Sequence, residues 1–138
     1  MATIQRFEDL ESWKNARLLS QEIWKVSNEG SFARDYKLKD QINAASGSVM
    51  DNIAEGFGRG GRLEFVNFLS IAKGSLDETK SQLYRAYDKE HLTQQQFKTL
   101  YMLADDAGKA IYGLMAYLNA TTLKGTKFKD RTNPGNKG

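Results

Sequence analysis

The ten residues at positions 52–61, NIAEGFGRGG, hold the clearest chemical signal in the chain. Gly56, Gly58 and Gly61 satisfy G-x-G-x-x-G, the pattern of a loop whose backbone N–H groups cradle a pyrophosphate. That chemistry needs a strand before the loop and a helix opening within it. The preceding INAASGSVMDNIAE has helical spacing instead, and no Gly-Lys-Ser/Thr follows to make a phosphate loop. The glycines are therefore expected to end a helix and reverse the chain. Gly56 is assigned the left-handed position after the last helical residue, and Gly58, Gly60 and Gly61 the tight reversal. Glu55 then sits at a helix C-terminus, where the macrodipole disfavours an acid by roughly 0.3–1 kcal/mol. A compensating ion pair with Arg59 or Arg62 is expected. As an isolated catalytic acid, Glu55 has no second group to work with.

Other reactive types are sparse. With no cysteine, neither disulfides nor thiolate metal sites can form. The single histidine, His91, precedes a helix start and reads as a solvated loop residue. Ser46 and Ser48 lack a histidine in plausible reach and are expected to bond backbone carbonyls or line a small-residue contact. Asp77-Glu78 and Asp105-Asp106 are helix neighbours that diverge around the axis. Gly74-Ser75 falls mid-helix, at about 1 kcal/mol relative to alanine, which predicts the close approach of another helix. No catalytic, cofactor or metal site is expected. The first reading is a non-catalytic scaffold; the alternative is an enzyme with a small-molecule site between helices.

The elements that must position these residues are helices. Apolar residues recur at three- and four-residue spacing over residues 9–27, 35–54, 63–87 and 94–119. The first stripe is Leu10, Trp13, Ala16, Leu19, Ile23 and Val26, capped by Asp9 and stopped by Gly30. The second is Leu38, Ile42, Ala45, Val49 and Ile53. The third is Phe65, Leu69, Ala72, Leu76, Leu83 and Ala86. The fourth is Phe97, Leu100, Ala104, Ala107, Ile111, Leu114 and Leu118, opened by a Thr93–Gln96 capping box. Strand patterns are nearly absent. The expected fold is all-α: an antiparallel up-down-up-down four-helix bundle over residues 1–120. Residues 121–138 lose the periodicity and read as a basic, largely disordered tail. Five basic residues against Asp130 put +4 of the net +3 charge beyond position 123, leaving −1 for the rest. No apolar run approaches a membrane span, and a cytoplasmic setting is expected.

The stretches FEDLESWKNARLL, QINAASGSVMDNIAEGFGR and EFVNFLSIAKGSLDETKSQL carry a resemblance. They are similar to the four-helix-bundle proteins encoded in intervening sequences of bacterial large-subunit ribosomal RNA genes, often labelled ribosomal protein. Those in turn resemble the accessory variability protein of diversity-generating retroelements. The resemblance spans about residues 7–119. Its motif positions are Asn52, Ile53, Ala54, Glu55, Gly56, Gly58, Arg59, Phe65, Leu69, Ala72, Gly74 and Ser75. It implies a bundle assembled as a ring-like homopentamer, without established catalysis. The retroelement relative implies nucleic-acid binding and partnership with a reverse transcriptase. Family members often carry an Arg-Arg pair where this chain has Asn43 and Ala44.

Helix three supplies separate support for self-association. In EFVNFLSIA, six of nine residues are apolar and spread around most of the helix. Val66, Phe68 and Ile71 fall partly outside the core stripe, and Trp24 on helix one is the candidate for an opposing interface. Basic residues interleaved with aromatics mark candidate contacts to RNA or DNA at Lys37, Lys39, Arg85, Lys124, Lys127, Lys129 and Arg131.

Overall fold

In the computed structural model, which describes residues 3–124, four helices follow in order and no strand occurs among the described residues. They are α1 (Glu11–Ser27), α2 (Tyr36–Gly58), α3 (Arg62–Asp88) and α4 (Gln94–Lys124). Each packs against its chain neighbours, and α4 closes on α1. Across α2 and α3, Gln41 meets Arg85, Ser48 meets Ser75 and Gly56 meets Phe68. Rising numbers on one helix meet falling numbers on the other, so the pair is antiparallel. The result is the expected up-down-up-down bundle.

The core follows the apolar stripes. All five α2 positions and all six α3 positions are buried. On α1 and α4, Trp13, Val26, Phe97 and Leu114 are partly buried at its edge. The capping box forms reciprocally: Gln96 N–H donates to Thr93 Oγ1 (3.0 Å) and Thr93 N–H to Gln96 Oε1 (2.9 Å).

Three boundaries differ from expectation. Asp9 does not cap α1; it belongs to a 3-10 turn, Phe7–Asp9, and Leu10 precedes the helix with no side-chain cap. The buried Leu10 side chain anchors this entry instead. Helix α2 runs four residues past the expected end, through Gly56 to Gly58. The left-handed residue is Gly60, at φ +86°. Helix α4 stays helical to Lys124, beyond the expected boundary at 120. Lys127, Lys129 and Arg131 lie outside the described residues, as does the Lys124 side chain.

Candidate interaction surfaces

At the α2–α3 corner the glycines serve packing. A Cβ on Gly56 would lie 2.6 Å from Phe68 Cβ and 3.1 Å from Phe65 Cδ1. Only a bare backbone lets α3 approach this closely, and that contact, absent from any local pattern, keeps Gly56 inside the helix. Gly58 is helical with open space around it, so neither packing nor backbone conformation requires a glycine there, and the tight reversal expected of it falls to Gly60. Arg59 Nη2 donates to Glu55 Oε2 at 2.9 Å, and its guanidinium lies 5.2 Å from the Phe68 ring centroid. Of the two expected partners, Arg59 takes the acid. Arg62 is instead buried in the first turn of α3, its Nε without a hydrogen bond.

A polar seam continues along the same pair of helices. Asn52 Nδ2 donates to the Ser48 carbonyl (2.8 Å) and Oγ (2.9 Å), and Ser48 Oγ shares a hydrogen bond with Ser75 Oγ at 2.9 Å. Buried Thr79 donates to the Ser75 carbonyl at 2.8 Å. Asn52 and Ser75, both motif positions of the resemblance, thus lock two helices together with Ser48 rather than present a nucleophile. Buried Ser46 bonds back to the Asn43 carbonyl. Gly74 corrects the expected close approach: it is exposed, and nothing lies within 4 Å of where its Cβ would be.

The four candidate interface residues separate. Val66 packs against the core, Phe68 is half-buried beneath Arg59, and Ile71 and Trp24 are exposed at 52% and 57%. Leu63, which the apolar pattern did not single out, is 62% exposed.

His91 is not solvated. Its side chain is 10% exposed and stacks on buried Phe32 at 5.1 Å. Nε2 lies 2.9 Å from Asp35 Oδ2 and Nδ1 lies 2.8 Å from Ser31 Oγ. With Nε2–H donating to the carboxylate, Nδ1 accepts from the serine, so one neutral tautomer satisfies both. Asp35 also accepts from Lys89 Nζ (3.0 Å) and from the Leu38 N–H at the start of α2 (3.3 Å). The hydrogen bonds from His91 and Lys89 outweigh the opposing effect of burial and, with the Leu38 N–H and the Lys89 charge, pull its carboxyl down to about 2. The cluster ties the α1–α2 connection to the α3–α4 turn. No local signal reveals it, since Asp35 and His91 stand 56 positions apart. Lys80 makes a comparable tie between α3 and α4, 2.8 Å from Asp105. Burial pulls its ammonium down, but the hydrogen bond and charge of Asp105 outweigh that and leave it above the ordinary lysine value.

The basic candidates do not converge on one patch. Lys37 and Lys39 begin α2 and Arg85 ends α3, where Arg85 Nη1 donates to Gln41 Oε1 at 3.2 Å. Lys124 closes α4 at the opposite end of the bundle. Lys39 reaches toward α1, its Nζ 6.0 Å from the Trp24 ring centroid. There the surface opens into two shallow depressions of about 530 and 450 Å³ that share Arg17 and Gln21. One includes Trp13 and Lys14, the other Trp24, Asn43 and Met50. Asn43, standing where the resembling family often has arginine, donates to Ser27 Oγ and the Lys39 carbonyl, both at 2.9 Å.

No group of three or more His, Cys, Asp or Glu able to hold a metal occurs among the described residues, and no described helix is long and apolar enough to cross a membrane. A family model described as 23S rRNA-intervening sequence protein matches residues 8–113. A crystal structure of a protein of unknown function from the S23 ribosomal protein family of Bacteroides thetaiotaomicron is similar at a TM-score of 0.69. The identity is 20%, over 75% of this chain and 97% of that one. No curated protein matches the chain.

Proposed function

We propose that this chain, which belongs to the 23S rRNA-intervening sequence protein family, is a non-catalytic cytoplasmic scaffold or adaptor that self-associates and engages nucleic acid. The observation that carries self-association is the outward side of α3. Leu63 and Ile71 lie exposed about two turns apart, and Gly74 follows one turn later with open space above it. In a lone bundle the apolar pair forgoes roughly 1.5–3 kcal/mol per side chain on full burial. The glycine likewise weakens the helix by about 1 kcal/mol with no packing in return. A second copy laid against this face would bury the pair and use the bare backbone. Phe68, half-covered, borders the same area. A closed ring uses two different surfaces of each subunit, and five subunits is the number the resemblance implies. Repetition of weak contacts around such an assembly raises their joint affinity for a long polymer through avidity. The absence of cysteine suits a reducing compartment.

Light scattering after size exclusion tests the assembly. The expected mass is five times the 15.6 kDa chain. A monomer at micromolar concentration overturns the scaffold reading, while a dimer or tetramer keeps the α3 face and rejects the five-fold ring. Ile71→Glu is expected to release subunits of monomer mass with helical circular dichroism intact, because an exposed side chain contributes little to the fold itself.

A further inference from the structure

One flank of α1 differs from the rest of the surface. Trp13, Arg17, Gln21 and Trp24 recur at intervals of four, four and three, so they form a single line along the helix. Eleven residues at about 1.5 Å each make that line about 16 Å long, room for several bases. Both tryptophans of the chain lie on it. Each indole has a cation near its face: Arg17 Cζ lies 5.6 Å from the Trp13 centroid and Lys39 Nζ 6.0 Å from that of Trp24. Lys14, Arg17 and Lys39 make no ion pair within 4 Å among the described residues. Of the acids near the line, Glu8 pairs with Arg6 at 3.6 Å and Glu22 with Lys25 at 3.1 Å, while Glu11 and Asp40 are exposed and form no ion pair within 4 Å among the described residues. Gln21 is exposed and leaves its amide free to meet a polar edge.

We propose that this α1–α2 groove is a seat for single-stranded nucleic acid, with Trp24 stacking on an unpaired base and Arg17, Lys39 and Lys14 meeting phosphates. The inference rests on the nucleic-acid part of the function proposed above and places it on the bundle. Charge complementarity selects the occupant. Three unpaired cations along a line with one exposed indole, Trp24, and one half-buried indole, Trp13, fit a chain that alternates anionic groups with flat aromatic rings. A duplex hides its base faces from such a platform, so the strand must be single. An indole held by a flexible lysine keeps its other face open, and Lys39 can swing to a phosphate when a base arrives. The contacts carry no base-edge code, so binding is sequence-tolerant.

The test uses the full chain with short oligothymidine and oligouridine, following indole fluorescence and its salt dependence. Both tryptophans report from the groove, so binding is expected to quench the emission. Trp24→Ala is expected to weaken affinity by about five- to 150-fold. Combining Arg17→Gln with Lys39→Gln is expected to lower the log–log salt slope by about 1.4, from about 0.7 per phosphate contact. Tyr112→Ala, at a more exposed ring on α4 (70%), is expected to change neither. Should the wild type bind while Trp24→Ala and the double variant bind equally well, the groove is overturned and the nucleic-acid reading survives. Should the wild type bind no oligonucleotide, both fall. A drop in mass on Trp24→Ala, seen by light scattering, makes the groove an interface between copies and also overturns the inference. Circular dichroism checks the fold of each variant, and the double variant, which alters only polar surface, decides the matter if Trp24→Ala misfolds.

Discussion

The α2–α3 corner and the α1 flank are built from similar materials to opposite effect. Each combines aromatic rings with arginine or lysine near their faces. At the corner the chemistry is closed on itself. Gly56 admits Phe65 and Phe68, Phe68 lies under Arg59, and Arg59 is held by Glu55. On the α1 flank Arg17 and Lys39 also lie over rings, but no acid completes the set and Trp24 stands in solvent. A cation over a ring that also has a carboxylate reads as architecture. The same cation without one retains its charge for something outside the chain. The conspicuous glycine motif is therefore the quieter of the two regions.

The comparison breaks most visibly at Gly56. Gly56→Val forces atoms into Phe68, and overpacking of this kind is expected to destabilise the fold by about 2–3 kcal/mol, roughly 10 °C in Tm. Thermal unfolding followed by circular dichroism measures it. A melt like that of the wild type would mean that the corner has slack and is not closed.

The Asp35 cluster offers a second closed region and a pH signature. Its carboxyl falls from the ordinary 3.8 to about 2 in the folded chain. Its contribution to stability is therefore full above the ordinary value and disappears as the pH falls from about 4 toward 2. Asp35→Asn keeps the shape but not the charge held by His91 and Lys89, and is expected to destabilise by about 1–3 kcal/mol at neutral pH. Its stability should vary less than the wild type's between about pH 4 and 2. Parallel pH profiles in denaturant unfolding would show that the hub contributes nothing through its charge.

The smallest effect sharpens the contrast. The Glu55–Arg59 pair is about half exposed on both sides, so Glu55→Gln is expected to change stability by only about 0.2–1 kcal/mol, and less at high salt. It also frees Arg59. Any gain in oligonucleotide affinity on that change, followed by the same fluorescence titration, would measure how far the missing acid, and not the position, separates the two regions.

The four helices were legible because each is a local periodic object. A stripe of Leu, Ile, Ala and Phe at three- and four-residue spacing has one face to bury, and short connections leave little choice of partner. The Thr93–Gln96 box and the Glu55–Arg59 pair were legible for the same reason, since both partners lie within one turn of helix. Gly56 reads locally as a helix end but lies inside α2, because its determinants, Phe65 and Phe68, belong to the next helix. A glycine admits either role, and only the helix packed across it decides. Gly74 errs the other way, carrying the same local weakness with no neighbour inside the chain.

Sequence by itself thus determined what three- and four-residue spacing and short connections can express: the number of helices, their buried faces and the antiparallel order. Tertiary structure alone decided which polar groups are used up. His91 and Asp35, or Trp24 and Lys39, are brought together by chain reversals that no spacing records. Whether a charge is neutralised depends on a distance of a few ångströms across such a reversal. That distance separates a clamp from an open site, and it exists only once the helices have packed.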